Sequence, residues 1–268
     1  MNKKTPNKIL LTAILLLSSA LLLYGKNFNP DVEIKINGLV CSSCAIGIKN
    51  NLMFAFIQIR EVPKTGWSSN EALNFKPKLK TLIALIVGLI LFGLGEALLV
   101  TSQMGVSPWT ALAQGFSNIS GFSLGFTTFF ISIFVLLLWI PLKQKPGIGT
   151  IFNAIIISLV LHYAIPFLPT FEGIIFKVTQ ALLGVFITGL GGGIYLIANL
   201  GPGARDGLMT GVQRVTGFPI AWVRSTIEII VLTIGWWLGG IIGLGTIFFA
   251  VGIGPCLAIS LTIFSSKK

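Results

Sequence analysis

Met104-Gly105-Val106-Ser107-Pro108-Trp109-Thr110-Ala111-Leu112 and, 96 residues later, Leu200-Gly201-Pro202-Gly203-Ala204-Arg205-Asp206-Gly207-Leu208 interrupt an otherwise apolar stretch of chain. In each, Gly and Pro end the preceding helix, and Ser107-Pro108 is an N-cap followed by proline at the first helical position. About fifteen residues follow before Gly121 and Gly217, too few and too polar to cross a bilayer. Each motif therefore predicts a short interfacial or re-entrant helix.

Around these breaks the same offset persists. Residues 88–154 align with 184–250 without a gap: Gly88 meets Gly184, Gly93-Leu94-Gly95 meets Gly189-Leu190-Gly191, and Gly149-Thr150-Ile151-Phe152 meets Gly245-Thr246-Ile247-Phe248. Six stretches near the ~20 residues needed for a span fall at 82–103, 122–141, 148–168, 178–200, 219–238 and 241–264. The last two join at Gly239-Gly240, a reversal point. Three spans per unit is an odd number, so the second unit enters the membrane upside down relative to the first. The expected fold is all-α: a polytopic membrane protein with six transmembrane helices as two inverted three-helix repeats (81–170 and 177–264) and short broken or re-entrant helices.

Composition agrees with this reading. Hydrophobic residues make up 54% of the 268-residue chain and charged residues 10%, with a mean hydropathy of +0.90. That is too little polar surface for a soluble domain of this size. The net charge of +11 is not a nucleic-acid footprint, because the Lys and Arg residues are scattered between apolar runs. Lys76, Lys78, Lys80, Lys143, Lys145, Arg205, Arg214, Lys267 and Lys268 all fall on the side where the first span begins. By the positive-inside rule that side is the cytoplasm of a multi-pass membrane protein. Trp139, Trp236 and Trp237 fall at span ends, where aromatics anchor to the interface.

Residues 1–80 differ in kind, holding eleven of the nineteen Lys and Arg. Lys3, Lys4 and Lys8 followed by an apolar run over 9–24 read as a signal peptide or signal anchor (1–25). Export of residues 26–78 by that signal conflicts with a cytoplasmic start of the first span; a weak extra crossing over 40–59, or fusion of an unrelated N-terminal piece, would reconcile the two. Between 26 and 80 lies a polar segment that ends, over 63–80, as a linker into the membrane domain (81–268). Within it, alternating Val32-Glu33-Ile34-Lys35-Ile36-Asn37 precedes Cys41-Ser42-Ser43-Cys44 and a helical stretch. Over 32–53 this resembles the start of the heavy-metal-associated domain, which implies a soft ion such as Cu held by Cys41 and Cys44. The rest of that domain has no counterpart here, so an inert remnant is the competing reading, and elsewhere no cofactor is expected.

Ionisable side chains at membrane depth are functional candidates by default. Glu96 lies in the first span beside Gly93 and Gly95 without a local partner; it must meet a basic group from another helix, bind a cation or carry a proton. Arg224 and Glu228, four apart on one helix face, are expected to form a structural ion pair. His162, next to Tyr163, is expected at the interface. The breaks supply the remaining candidates: Ser107, Pro108, Trp109, Arg205 and Asp206. Two helix N-termini aimed inward, with the Ser107 hydroxyl and the Arg205 guanidinium, suit a small anion or a carboxylate, with Asp206 either orienting Arg205 or taking part in cation coupling. Nothing resembles a catalytic triad, P-loop or zincin helix, so an enzyme is not expected.

The pattern G-x-S-P-W-x-A-L, repeated as G-P-G-x-R-D-G-L, is similar to that of the YczE-like integral membrane proteins of the YczE/YitT group, over roughly 79–264. That resemblance implies a multi-spanning bacterial membrane protein and supplies neither substrate nor catalytic residues. From the residues themselves, the expectation is a permease-like transporter of a small solute or ion, with the lipid bilayer as its medium and a homo-oligomer as one possible state. The alternatives are a non-transporting membrane regulator or scaffold, and heavy-metal handling through Cys41 and Cys44.

Overall fold

The computed structural model describes residues 62–264, in which every regular element is helical. In chain order these are α1 (Leu79–Thr101), α2 (Pro108–Ser120), α3 (Leu124–Leu138), α4 (Ile148–Ala164, extended by a 3-10 turn Ile165–Phe167), α5 (Ile174–Ala198), α6 (Ala204–Thr216), α7 (Ile220–Trp237) and α8 (Leu244–Phe264). Five of them (α1, α4 with its 3-10 turn, α5, α7 and α8) are long and apolar enough to cross a membrane, and α2 with α3, bent by 114°, makes a sixth candidate. Residues 1–61, with the signal-like run and Cys41 and Cys44, lie outside the described residues.

The offset of 96 survives in the backbone. Helices α2, α3 and α4 begin at 108, 124 and 148, and α6, α7 and α8 begin at 204, 220 and 244. The chain leaves α1 through Gln103 (φ 57°) and Gly105 (φ 111°) and leaves α5 through Asn199 (φ 52°) and Gly201 (φ 114°). Left-handed backbone at Gly105 and Gly201 turns the chain sharply, a conformation open to glycine at low strain. Both short helices end on left-handed C-caps, Gly121 (φ 74°) and Gly217 (φ 71°).

Glycines then set how close the helices come. Antiparallel α1 and α5 touch at Gly88 against Gly191 and at Gly95 against Gly184; a Cβ on Gly184 would sit 2.8 Å from the Gly95 carbonyl oxygen. Such approach brings backbone against backbone, the packing mode that small residues permit in lipid. Helix α4 lies along α1 at Gly93, and α8 along α5 at Gly189 and Gly193. Two hydrogen bonds cross reciprocally: Gly149 N donates to Leu200 O (2.7 Å) and Gly245 N donates to Met104 O (2.8 Å). Shifting either bond by 96 residues and exchanging halves gives the other. The outer faces carry Phe126, Phe130, Phe134 and Leu137 exposed on α3, as a lipid-facing helix does.

Two sequence expectations change. Trp139 is not an interfacial anchor: it is 1% exposed, its indole packs on Gly207, and its Nε1 donates to Ala204 O at 3.0 Å. Gly207 has no side chain, which is what admits the ring. Residues 62–78 are also more than a linker, since Ser69 N donates to Ala198 O (3.0 Å) and Asn199 Nδ2 to Ser69 O (2.9 Å). They cap the C-terminal end of α5, where free carbonyls need donors.

Candidate functional site

The two breaks meet inside the helix bundle. Ser107 (φ −62°, ψ 155°) and Gly203 (φ −60°, ψ 155°) are the N-caps of α2 and α6, with the same backbone conformation. Between the two N-terminal turns lies a cavity of about 90 Å³, bordered by Ser107, Pro108, Trp109, Gly203, Arg205 and Asp206. Trp109 and Arg205 are equivalent positions of the two halves, and they face each other, with Arg205 Cζ 5.5 Å from the Trp109 ring centroid. A guanidinium over an indole face is a cation–π contact. Arg205 is half-buried, and no carboxylate among the described residues lies within 4.0 Å of it.

Asp206 turns elsewhere. Its Oδ2 accepts from Tyr195 Oη (3.0 Å) and its Oδ1 stands 3.7 Å from Arg224 Nη1. Arg224 Nε also contacts Glu228 Oε1 at 2.8 Å, so the i,i+4 ion pair on α7 extends to a third member on α6. Asp206 therefore holds Arg224, whereas the sequence reading had it orienting Arg205. The remaining border is neutral: Thr128 and Ser132 occupy the places in the first half that Arg224 and Glu228 occupy in the second, and Asn153 adds an amide.

Glu96 stands behind this border, 1% exposed. Its Oε2 accepts from Thr110 Oγ1 (2.7 Å) and from Ser107 Oγ (2.9 Å), while its Oε1 has no hydrogen-bond partner. Ser107 sits where an N-cap should, yet its hydroxyl makes no capping bond; the carboxylate has drawn it away. Arg205, held over Trp109, is not within ion-pair distance of Glu96. The Trp109 indole nitrogen, on a residue 6% exposed, likewise has no acceptor. Buried polar atoms of native proteins are almost always paired, and here Glu96 Oε1 and Trp109 Nε1 have no partner among the described residues.

All six break and span candidates thus lie at or directly behind one cavity. His162 sits apart, its Nδ1 2.7 Å from Ser123 Oγ near a helix end. The sequence reading missed Tyr195, Thr110, Thr128, Ser132 and Asn153. Thr128 and Ser132 were recoverable from the offset that places them opposite Arg224 and Glu228; Tyr195 and Thr110 left no such trace.

Five to six helices long and apolar enough to cross a membrane, around a cavity that several charged and hydroxyl side chains border, define a multi-pass helical membrane protein. Residues 79–262 match a family of unknown function, DUF6198, and the chain belongs to that family. It is 36% identical over 208 residues to an uncharacterized protein of Haemophilus influenzae, covering 78% of this chain and 94% of that one. To the uncharacterized membrane protein YczE of Bacillus subtilis it is 32% identical over 179 residues, covering 65% of this chain and 82% of that one. Another Bacillus subtilis relative, the uncharacterized protein YyaS, is 24% identical over 181 residues, covering 66% and 90% of the two chains. No solved structure matches.

Proposed function

We propose that the protein is a small-solute permease of the bacterial inner membrane, built as two inverted three-span units that alternate around the cavity between α2 and α6. One observation carries this reading: a cavity at the meeting of two broken helices, bordered by an arginine that has no ion-pair partner among the described residues. Discontinuous helices whose N-termini face a midplane site are the usual ion and substrate machinery of inverted-repeat carriers. The reciprocal bonds of Gly149 to Leu200 and Gly245 to Met104 support the two-fold relation, because exchange of partners between halves is what such an axis produces. A duplicated shell with unlike chemistry, charged in the second half and hydroxylic in the first, suits a carrier that holds one solute in one orientation.

The test is transport itself. Purified protein in vesicles should carry saturable flux of at least one of three labelled probes that differ in charge: pyruvate, inorganic phosphate and methylammonium. Arg205→Ala should abolish that flux while leaving the protein monodisperse. Absence of flux for all three, with recovery of a stable complex with another membrane protein, would favour a regulator or scaffold.

A further inference from the structure

The permease reading leaves open what the cavity holds, and Arg205 and Glu96 bear on that together. Resting on that reading, we propose that the cavity binds a small oxyanion, such as a monocarboxylate, on the Arg205 guanidinium, and that one proton travels with it on Glu96.

The anion half of the proposal follows from Arg205. Its guanidinium is held over Trp109, has no carboxylate of the described residues in ion-pair contact, and borders the cavity. A guanidinium fork matches the two-oxygen face of a carboxylate or phosphate. The other cation on the border, Arg224, is engaged by Asp206 and Glu228. Size limits the ligand further. Each water needs on the order of 10–15 Å³ of such space, so a cavity of about 90 Å³ admits roughly the bulk of six to nine waters. Pyruvate and phosphate fall within that limit.

The proton half follows from Glu96. One carboxylate oxygen is saturated by two hydroxyls and the other has no partner, at a depth where an unpaired charge is expensive. Arg205 lies over Trp109, in the same turn of α2 whose Ser107 and Thr110 bond Glu96. An anion bound on Arg205 brings a second negative charge to this turn, and a proton on Oε1 offsets it. Anion and proton together add no net charge, so the total charge of the cavity is the same empty and loaded. This holds whatever charge the neighbouring groups carry. Those groups are Arg205 and Asp206 from α6, Arg224 and Glu228 from α7, and Tyr195 from α5; α2 adds the hydroxyls of Ser107 and Thr110 and the Trp109 indole, and α4 adds neutral Asn153. The proton enters from the side on which the anion binds, sits on Glu96, and leaves to water on the opposite side when the anion does.

Vesicles containing the purified protein and a trapped pH-sensitive dye supply the test, with labelled pyruvate, labelled phosphate and labelled methylammonium as the three probes. Inward flux of the carried anion should acidify the lumen by about one proton per anion, read on the unaltered protein. Arg205→Lys should weaken binding of that anion by about tenfold or more, since a lysine lacks the planar fork. Glu96→Gln keeps an acceptor for Ser107 and Thr110; it should preserve anion binding and anion-for-anion exchange while abolishing acceleration by an inward proton gradient. Anion entry without lumen acidification would overturn the proton half. Methylammonium flux without binding of either anion would overturn the anion half and leave the permease reading intact. Absence of flux for all three probes would overturn the permease reading itself.

Discussion

Replacing Gly88 or Gly184 with alanine tests the helix packing that frames the site. On Gly88 a Cβ would lie 2.7 Å from Tyr195 N and 3.0 Å from Gly191 O; on Gly184 it would lie 2.8 Å from Gly95 O and 3.0 Å from Leu99 N. These are the same two contacts, exchanged between halves. The nearer contact at each site falls about 0.6–0.7 Å short of ordinary contact at 3.4 Å and the other about 0.4 Å, and the obstructing atoms are helix backbone, which cannot rotate aside. Overpacking costs roughly 1–3 kcal/mol, and backbone obstruction puts both sites at the upper end. Alanine returns about 1 kcal/mol in helix propensity, leaving a net loss of about 2 kcal/mol, close to a 30-fold shift in the unfolding constant. Equilibrium unfolding in mixed detergent micelles, followed by circular dichroism, would measure it. The two variants should agree within about 0.5 kcal/mol. Their combination should be less than additive, because one outward shift of α5 relieves both clashes. Gly66→Ala, with nothing within 4 Å, is the neutral control. If Gly88→Ala is as stable as that control, or the double variant is fully additive, the close antiparallel contact of α1 and α5 is wrong.

Further outcomes are expected elsewhere. Arg224→Ala and Glu228→Ala should each lower stability more than the pair of changes together predicts, with a coupling of about 1–3 kcal/mol in a double-mutant cycle; strictly additive losses would dissolve the ion pair. Trp139→Phe removes the indole's hydrogen bond to Ala204 O and should cost about 0.5–1.5 kcal/mol for that bond, plus the packing of the lost ring on Gly207, measured by the same unfolding assay; an unchanged midpoint would contradict the buried placement of Trp139. In intact cells, a cysteine introduced by Lys145→Cys should escape an impermeant external thiol reagent; its labelling would reverse the assigned orientation.

Much of the helical layout was legible because it rests on two strong signals, long apolar runs and a gapless 96-residue offset. Gly105 and Gly201 announced the breaks, and the starts of α2 and α6 follow them closely. What the sequence concealed was direction within the site. The signature Ser107-Pro108 marks a cap equally well whether the hydroxyl serves the backbone or a carboxylate eleven residues upstream, and here it serves Glu96. Asp206 beside Arg205 suggested a local pair, but successive residues on a helix point apart, and Asp206 faces α7 and Tyr195 instead. Trp139 misled for a related reason. Position at the end of a helix says interface, whereas the missing side chain of Gly207, 68 residues away, says core.

The backbone contact between Gly88 and Gly191 has a consequence for synthesis. The partner of the first span is made about a hundred residues later, after α2, α3 and α4 have emerged. At roughly 5–20 residues per second, α1 waits on the order of 5–20 s with its glycine face turned to lipid or to the insertion machinery. During that interval nothing in the first half can complete α1, since the Met104 carbonyl also awaits Gly245 near the end of the chain. The two halves therefore close together, late, and a ribosome that stalls before α5 leaves behind an unmated surface for quality control to find.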